Sequence, residues 1–191
     1  MKIAIAGAGI AGGYLARLLE QKGLAPDVYD GMIHDTQCRC RSCGWGAPRG
    51  IEKHLAGIGL DLNDYLIEPM SSMKFDGLVA NTPLCTIDKP RLLKDFTRDS
   101  GVIQQNLGPE DAEDYDIVVD ATGISRALLP PCRSDLTLPT LQHRVAVKPQ
   151  GNENLEAGVF GNQIPGLGYL WIFPLRNNQY HIGIGGIGIA R

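Results

Sequence analysis

The stretch from Lys2 to Gly12 constrains the fold more than any other part of this chain. Lys2-Ile-Ala-Ile-Ala6 is a short apolar run containing two β-branched residues, which suits a strand buried on both faces of a parallel sheet. Gly7-Ala8-Gly9-Ile10-Ala11-Gly12 follows at once, and Ile10, Tyr14, Leu15, Leu18 and Leu19 then recur at helical spacing until Gly23 offers a stop. The order is strand, glycine loop, helix. A second strand is predicted over Asp27-Val28-Tyr29-Asp30, which places an acid 21 residues after Gly9.

In this setting each glycine has a separate reason. Gly7 allows a tight turn, Gly9 lets a pyrophosphate approach the backbone, and Gly12 lets the helix pack against the strand. The helix N-terminus supplies N–H donors and the positive end of a dipole. Asp30 stands where a carboxylate accepts hydrogen bonds from an adenosine ribose. Gly7, Ala8, Gly9, Ala11, Gly12 and Asp30 are therefore candidate cofactor residues, and the cofactor is a dinucleotide. The fingerprint fits FAD and NAD alike, whereas the acid would repel the 2′-phosphate of NADP.

The rest of the composition narrows the class. At 191 residues the chain is long enough for one substantial core, or for one domain with part of a second. Its net charge of -3 gives no basic footprint, so nucleic acid is not an expected partner. No apolar run approaches the roughly 20 residues that span a bilayer, and no secretory leader precedes the glycines, so a cytoplasmic location is expected. Five cysteines, with Cys38, Cys40 and Cys43 close together, read as reduced thiols rather than as a disulfide framework.

Further along, Gly101–Asn106 and Tyr115–Asp120 read as strands, and the second runs into Ala121-Thr122-Gly123. Ligands gather at the carboxyl ends of parallel strands, so Thr122 and Gly123 are candidates to face the same cofactor; a simple turn is the competing reading. Beyond Pro130-Pro131, Leu141–Lys148, Leu155–Phe160, Tyr169–Pro174 and Gln179–Ile187 look like strands of an antiparallel sheet. Residues 66–87 are candidates to add strands to it.

Several of these segments together resemble the geranylgeranyl reductase family, flavoproteins related to the FAD-dependent aromatic hydroxylases that include the archaeal digeranylgeranylglycerophospholipid reductases. The resemblance rests on Asp120-Ala-Thr-Gly-Ile-Ser-Arg126, Cys43-Gly44-Trp45-Gly46, Arg91 with Asp95, and Gly168-Tyr-Leu-Trp-Ile-Phe-Pro174 followed by the glycines at Gly183 and Gly185. It implies FAD along Gly7, Gly9, Gly12 and Asp30, with Arg91 near the pyrophosphate and Cys43 and Gly44 near the flavin ring. Family members have Phe where this chain has Lys94, and they run to about twice its length. Their Gly-Asp motif would fall beyond Arg191, which implies a piece of a longer enzyme.

The expected fold is α/β: a Rossmann-like FAD-binding domain from residues 1–65 and 88–130, with part of an antiparallel-sheet substrate domain from residues 66–87 and 131–191. The resemblance implies an oxidoreductase that reduces carbon–carbon double bonds of an isoprenoid lipid, with a reduced electron donor and peripheral membrane contact. The alternatives are a flavin monooxygenase on the same scaffold and a non-catalytic FAD-binding module. Alternation puts Tyr169, Trp171 and Phe173 on one strand face, the candidate wall of a substrate channel; packing between sheet layers explains the same pattern equally well. Cys43 is a proton-donor candidate by position alone. Cys38-x-Cys40-x-x-Cys43 is one thiolate short of a usual metal site, and His34, His54, His143 and His181 stand at no triad spacing.

Overall fold

Ile3, Ala4, Ile5 and Ala6 are all buried, and this is why an apolar run without alternation becomes a central strand. The structure is a computed structural model that describes residues 1–31, 43–130, 137–148, 155–161 and 166–187. In chain order the first elements are β1 (Ile3–Ala6), α1 (Ile10–Gln21), β2 (Asp27–Tyr29), β3 (Gly46–Pro48) and α2 (Ile51–Ala56). Then come β4 (Leu66–Met70), β5 (Met73–Phe75), β6 (Leu78–Ala80), β7 (Leu84–Ile87), α3 (Lys89–Phe96), α4 (Pro109–Ala112) and β8 (Ile117–Asp120). The last four are β9 (Thr140–Ala146), β10 (Gly158–Phe160), β11 (Gly168–Pro174) and β12 (Gln179–Gly186).

The chain divides into two units, Met1–Arg39 with Lys89–Asp135, and Cys40–Asp88 with Leu136–Arg191. In the first, a parallel sheet runs in the order β2-β1-β8, with Ile5 opposite Val28 on one side and Val119 on the other. Ile5, Ala8, Ala16 and Val28 form one buried cluster beneath α1. On α1, Gly13 lets Phe96 of α3 approach closely, since an added Cβ would lie 3.0 Å from the Phe96 Cβ and 3.1 Å from its ring. Tyr29 donates to the Tyr115 hydroxyl at 2.6 Å and Tyr115 to Asp27 at 2.8 Å, tying β2 to the turn before β8.

Residues 101–106 do not form the strand predicted for them. A single parallel bridge joins Ile103 to Tyr29, and the polar run Gln104-Gln105-Asn106 stays exposed. Burying three amide side chains without partners would cost more than the extra pairing returns.

In the second unit, a six-stranded sheet runs β6-β5-β10-β11-β12-β9 and a smaller one runs β3-β7-β4. Residues 66–87 therefore serve both sheets, β5 and β6 joining the large one while β4 and β7 pair with β3. The large sheet is mixed, because β10 pairs with β5 in parallel, rather than wholly antiparallel. Residues 43–65, expected with the cofactor domain, fall in this unit, where β3 pairs with β7. Among the described residues, no helix is long and apolar enough to cross a membrane.

Candidate functional site

In the first unit the loops after β1, β2 and β8 meet at the carboxyl end of the sheet. Gly7 N–H donates to the Tyr29 carbonyl at 2.7 Å, and Ala121 N–H to the Ala6 carbonyl at 2.8 Å. These bonds carry the ladder one residue past the strands and bring Gly7, Asp30 and Ala121 to one edge.

The three fingerprint glycines differ in what a side chain would meet. Gly7 has φ +102°, in the region that favours glycine, and a Cβ there would lie 2.5 Å from the Ala121 carbonyl oxygen. At Gly12 a Cβ would collide with the carbonyl oxygen of Gly7. Both glycines are therefore demanded by the protein itself. Gly9 is not: its φ of -72° suits any residue, and a Cβ there would find nothing within 4 Å among the described residues. Gly9 is also the N-cap of α1, with no side-chain capping bond, and the first turn holds no acid. Ala11 is exposed on that turn.

Asp30 has a role that sequence reasoning missed. One of its carboxylate oxygens accepts the backbone N–H of Ala8 at 2.8 Å, so the acid braces the glycine loop from within. Ala8 is buried, and an unpaired N–H there costs about 1–3 kcal/mol. Asp30→Ala should therefore destabilise the protein by about that amount without any cofactor, and Asp30→Asn, which keeps an acceptor, by less. Denaturant unfolding of the two variants checks this, and equal losses would show that the Ala8 bond contributes nothing.

Thr122 and Gly123 follow β8, and the backbone N of Thr122 would be 3.0 Å from a Cβ on Gly7. The Thr122 hydroxyl is engaged within its own turn, donating to Asp120 at 2.6 Å and accepting the Ala127 N–H at 2.9 Å. Asp120 also accepts the N–H groups of Thr122 and Leu128. Burial works to raise the Asp120 pKa, but these hydrogen bonds and the Arg126 charge outweigh it and hold the carboxyl below its usual range. Gly123 has φ +66° and begins the turn that Asp120 organises. Asp120 and Ala121 are thus further members of the site; the short Asp-x-Thr spacing was the one signal that pointed to this turn.

Arg91 lies exposed on α3, which packs against α1 in the same unit. Cys43 and Gly44 belong to the second unit. There the register of β11, β12 and β9 sets out three transverse rows: Tyr169 with Gly185 and Thr140, Trp171 with Gly183 and Gln142, and Phe173 with His181 and Arg144. Alternation does place Tyr169, Trp171 and Phe173 on one face, but they differ in exposure. Trp171 is 4% exposed, its ring lying across Gly183 where a side chain would stand. Phe173 is covered by Gly44 and Gly46, either of which would drive a Cβ into its ring. Tyr169, 38% exposed, is the open member of the row.

Trp45 takes a left-handed backbone with φ +60°, and its ring meets His181 edge-on at 4.6 Å and the Arg144 guanidinium at 5.9 Å. Burial holds His181 below its usual pKa, against a bond to the Gly44 carbonyl and with the help of the Arg144 charge. The neutral ring carries its proton on Nδ1, because the Gly44 carbonyl 3.4 Å away can only accept. Of the cysteine cluster, Cys38 and Cys40 lie outside the described residues, as do Arg39, Arg41, His34 and Cys132. Cys43 is half-buried.

The fold as a whole is shared with a group of solved structures. A geranylgeranyl bacteriochlorophyll reductase-like protein of Thermoplasma acidophilum matches 97% of this chain and 56% of its own length, with a TM-score of 0.67 at 18% identity. The HpxO protein of Klebsiella pneumoniae, crystallised with FAD, matches all of this chain and 58% of its own, with a TM-score of 0.66 at 15% identity. A probable FAD-dependent monooxygenase of Pseudomonas aeruginosa matches 97% of this chain and 60% of its own, with a TM-score of 0.62 at 15% identity. The fold is that of the FAD-dependent oxidoreductases. Among curated sequences, an uncharacterized protein of Methanocaldococcus jannaschii is 25% identical over 96% of this chain and 60% of its own length. No protein-family model matches. The chain thus spans 56 to 60% of the length of these similar proteins.

Proposed function

We propose that this chain is the FAD-holding part of a flavin-dependent oxidoreductase. The observation that carries this reading is the contrast among the glycines: Gly7 and Gly12 are required by neighbouring backbone, whereas a Cβ on Gly9, at a helix end without a side-chain cap, would meet none of the described residues. A glycine that neither the backbone conformation nor protein packing demands suits close approach of a ligand, and a pyrophosphate fits a site of N–H donors at the positive end of a helix dipole. Gly7, Ala8, Gly9, Ala11 and Gly12 would hold the pyrophosphate, with Asp30 bracing the loop beside the adenosine ribose. Thr122, Gly123 and Arg91 are proposed to complete the contacts from the first unit; Cys43 and Gly44 are proposed as cofactor residues on the sequence resemblance alone. When bound, a flavin would supply hydride-transfer chemistry that no amino-acid side chain offers.

Gly9→Ala tests this reading. The substitution should leave unfolding by denaturant unchanged and weaken FAD binding by tenfold or more, about 1.4 kcal/mol, in a calorimetric titration. Native FAD affinity in that variant would refute the cradle.

Two reactions fit this scaffold. Reduction of isoprenoid double bonds rests on the sequence resemblance and on the likeness to the Thermoplasma protein. Hydroxylation with oxygen rests on the likeness to the Pseudomonas protein. Under either reading Tyr169, Trp171 and Phe173 are proposed to bound the substrate side, with Tyr169 the member that touches it and Cys43 the proposed proton donor. Anaerobic reduction of a geranylgeranyl lipid, from a reduced donor and with peripheral contact to its membrane, is the outcome expected of the first. Oxygen uptake with a hydroxylated product would decide for the second.

A further inference from the structure

Within the second unit, one neutral side chain joins two groups of opposite hydrogen-bonding character. The indole N–H of Trp171 donates to Oε1 of Gln142 at 3.0 Å, and Nε2 of the same amide donates to the Cys43 carbonyl at 3.2 Å. An indole N–H can only donate and a carbonyl can only accept, so the two partners fix the amide's orientation between them. Glutamate at this position could satisfy only the indole, and leucine neither.

The contacts at Gly44, Trp45 and Gly46 hold the rest of the segment to Phe173, His181 and Arg144. The carbonyl of Cys43 is held by Gln142. Gly183 is what makes this possible, since it lets the Trp171 ring lie across β12 far enough to reach the amide on β9.

We propose that Gln142 is a positioning residue for Cys43, fixing its backbone by referring it to the indole of Trp171. The clamp stands on geometry alone; its bearing on the cofactor rests on the FAD reading above, in which Cys43 and Gly44 face the flavin ring. Any side-chain rearrangement at Trp171 then reaches Cys43 through one amide.

The test compares Gln142→Glu, Gln142→Leu and Trp171→Phe. Trypsin cuts after Arg41 and Arg49, so the peptide of residues 42–49 carries Cys43 apart from every other cysteine, and its alkylation by iodoacetamide can be timed by mass spectrometry. The chain has two tryptophans, so the indole proton of Trp171 is readily assigned by NMR. Gln142→Glu should keep the downfield Trp171 indole resonance, because a carboxylate still accepts, while Cys43 alkylates roughly three- to tenfold faster. Gln142→Leu should show the faster alkylation and lose the downfield shift. Trp171→Phe should raise alkylation by a smaller factor, since the amide still donates to Cys43 but is no longer anchored.

Native alkylation rates in folded Gln142→Glu and Gln142→Leu proteins would overturn the proposal, and so would loss of the indole shift in both. Should neither glutamine variant fold, native alkylation in Trp171→Phe would overturn it alone. Failure of the unaltered protein to take up FAD would refute the function proposed above and leave these thiol and indole readouts intact.

Discussion

Replacement of Trp171 by alanine is expected to lower folding stability by about 3–5 kcal/mol. Trp171 is among the most enclosed large side chains of the six-stranded sheet, and its ring fills the space left by Gly183 on the neighbouring strand. Removing it opens a cavity whose floor is glycine backbone, and a pleated sheet held by ladders on both sides cannot collapse into it. It also strips Gln142 of its donor and Tyr169 of a ring partner 5.6 Å away. Urea unfolding followed by circular dichroism measures the loss. A value under about 1 kcal/mol would mean that the ring is replaceable by solvent and that the packing against Gly183 contributes little.

The second large effect is expected at Gly12→Ala. In an exposed helix the same exchange stabilises by about 1 kcal/mol, because alanine is the better helix former. Here the sign should reverse. The added methyl group would overlap the carbonyl oxygen of Gly7, and that oxygen cannot withdraw, because Gly7 is itself seated against the Ala121 carbonyl. The start of α1 must move off β1, at an expected cost of about 3 kcal/mol or more. Paired with Gly9→Ala, whose stability should match the native protein, the measurement separates glycines that shape the loop from the one beside open space. Equal stabilities for the two variants would contradict the packing described for α1.

Local patterns made β1, α1 and β2 legible in the sequence. Their signals, an apolar run, three glycines, a helical stripe and an acid, sit within thirty residues and need no distant partner to be read. Residues 101–106 misled because Val102 and Ile103 look like strand formers, while the three amides after them refuse burial. The split of residues 66–87 between two sheets depends on which distant strand each one meets, and no periodicity encodes that. Within the site, the position of Asp30 could be read but not its bond to Ala8, which is a backbone contact without a sequence signature. Gln142 was invisible because its importance comes from register: it stands beside Gly183, which stands beside Trp171, across three strands.

The interleaving of the two units sets an order in which they can be built. β1 lies between β2, which follows it closely, and β8, whose Ile117 pairs with Ile3 near the start of the chain. During synthesis the first hairpin-sized piece emerges with one edge of its central strand bare, and the whole of Cys40–Asp88 must be made before the strand that covers it. That intervening segment is itself incomplete, because β5 waits for β10 and the Cys43 segment for Gln142. The first unit has all its strands only once β8 is made, the second waits longer still for β9 to β12, and an open parallel edge is a site for wrong pairing in that interval. A nascent chain of this design has to be shielded or fast, and its yield on expression should depend more on chaperone supply than its final stability would suggest.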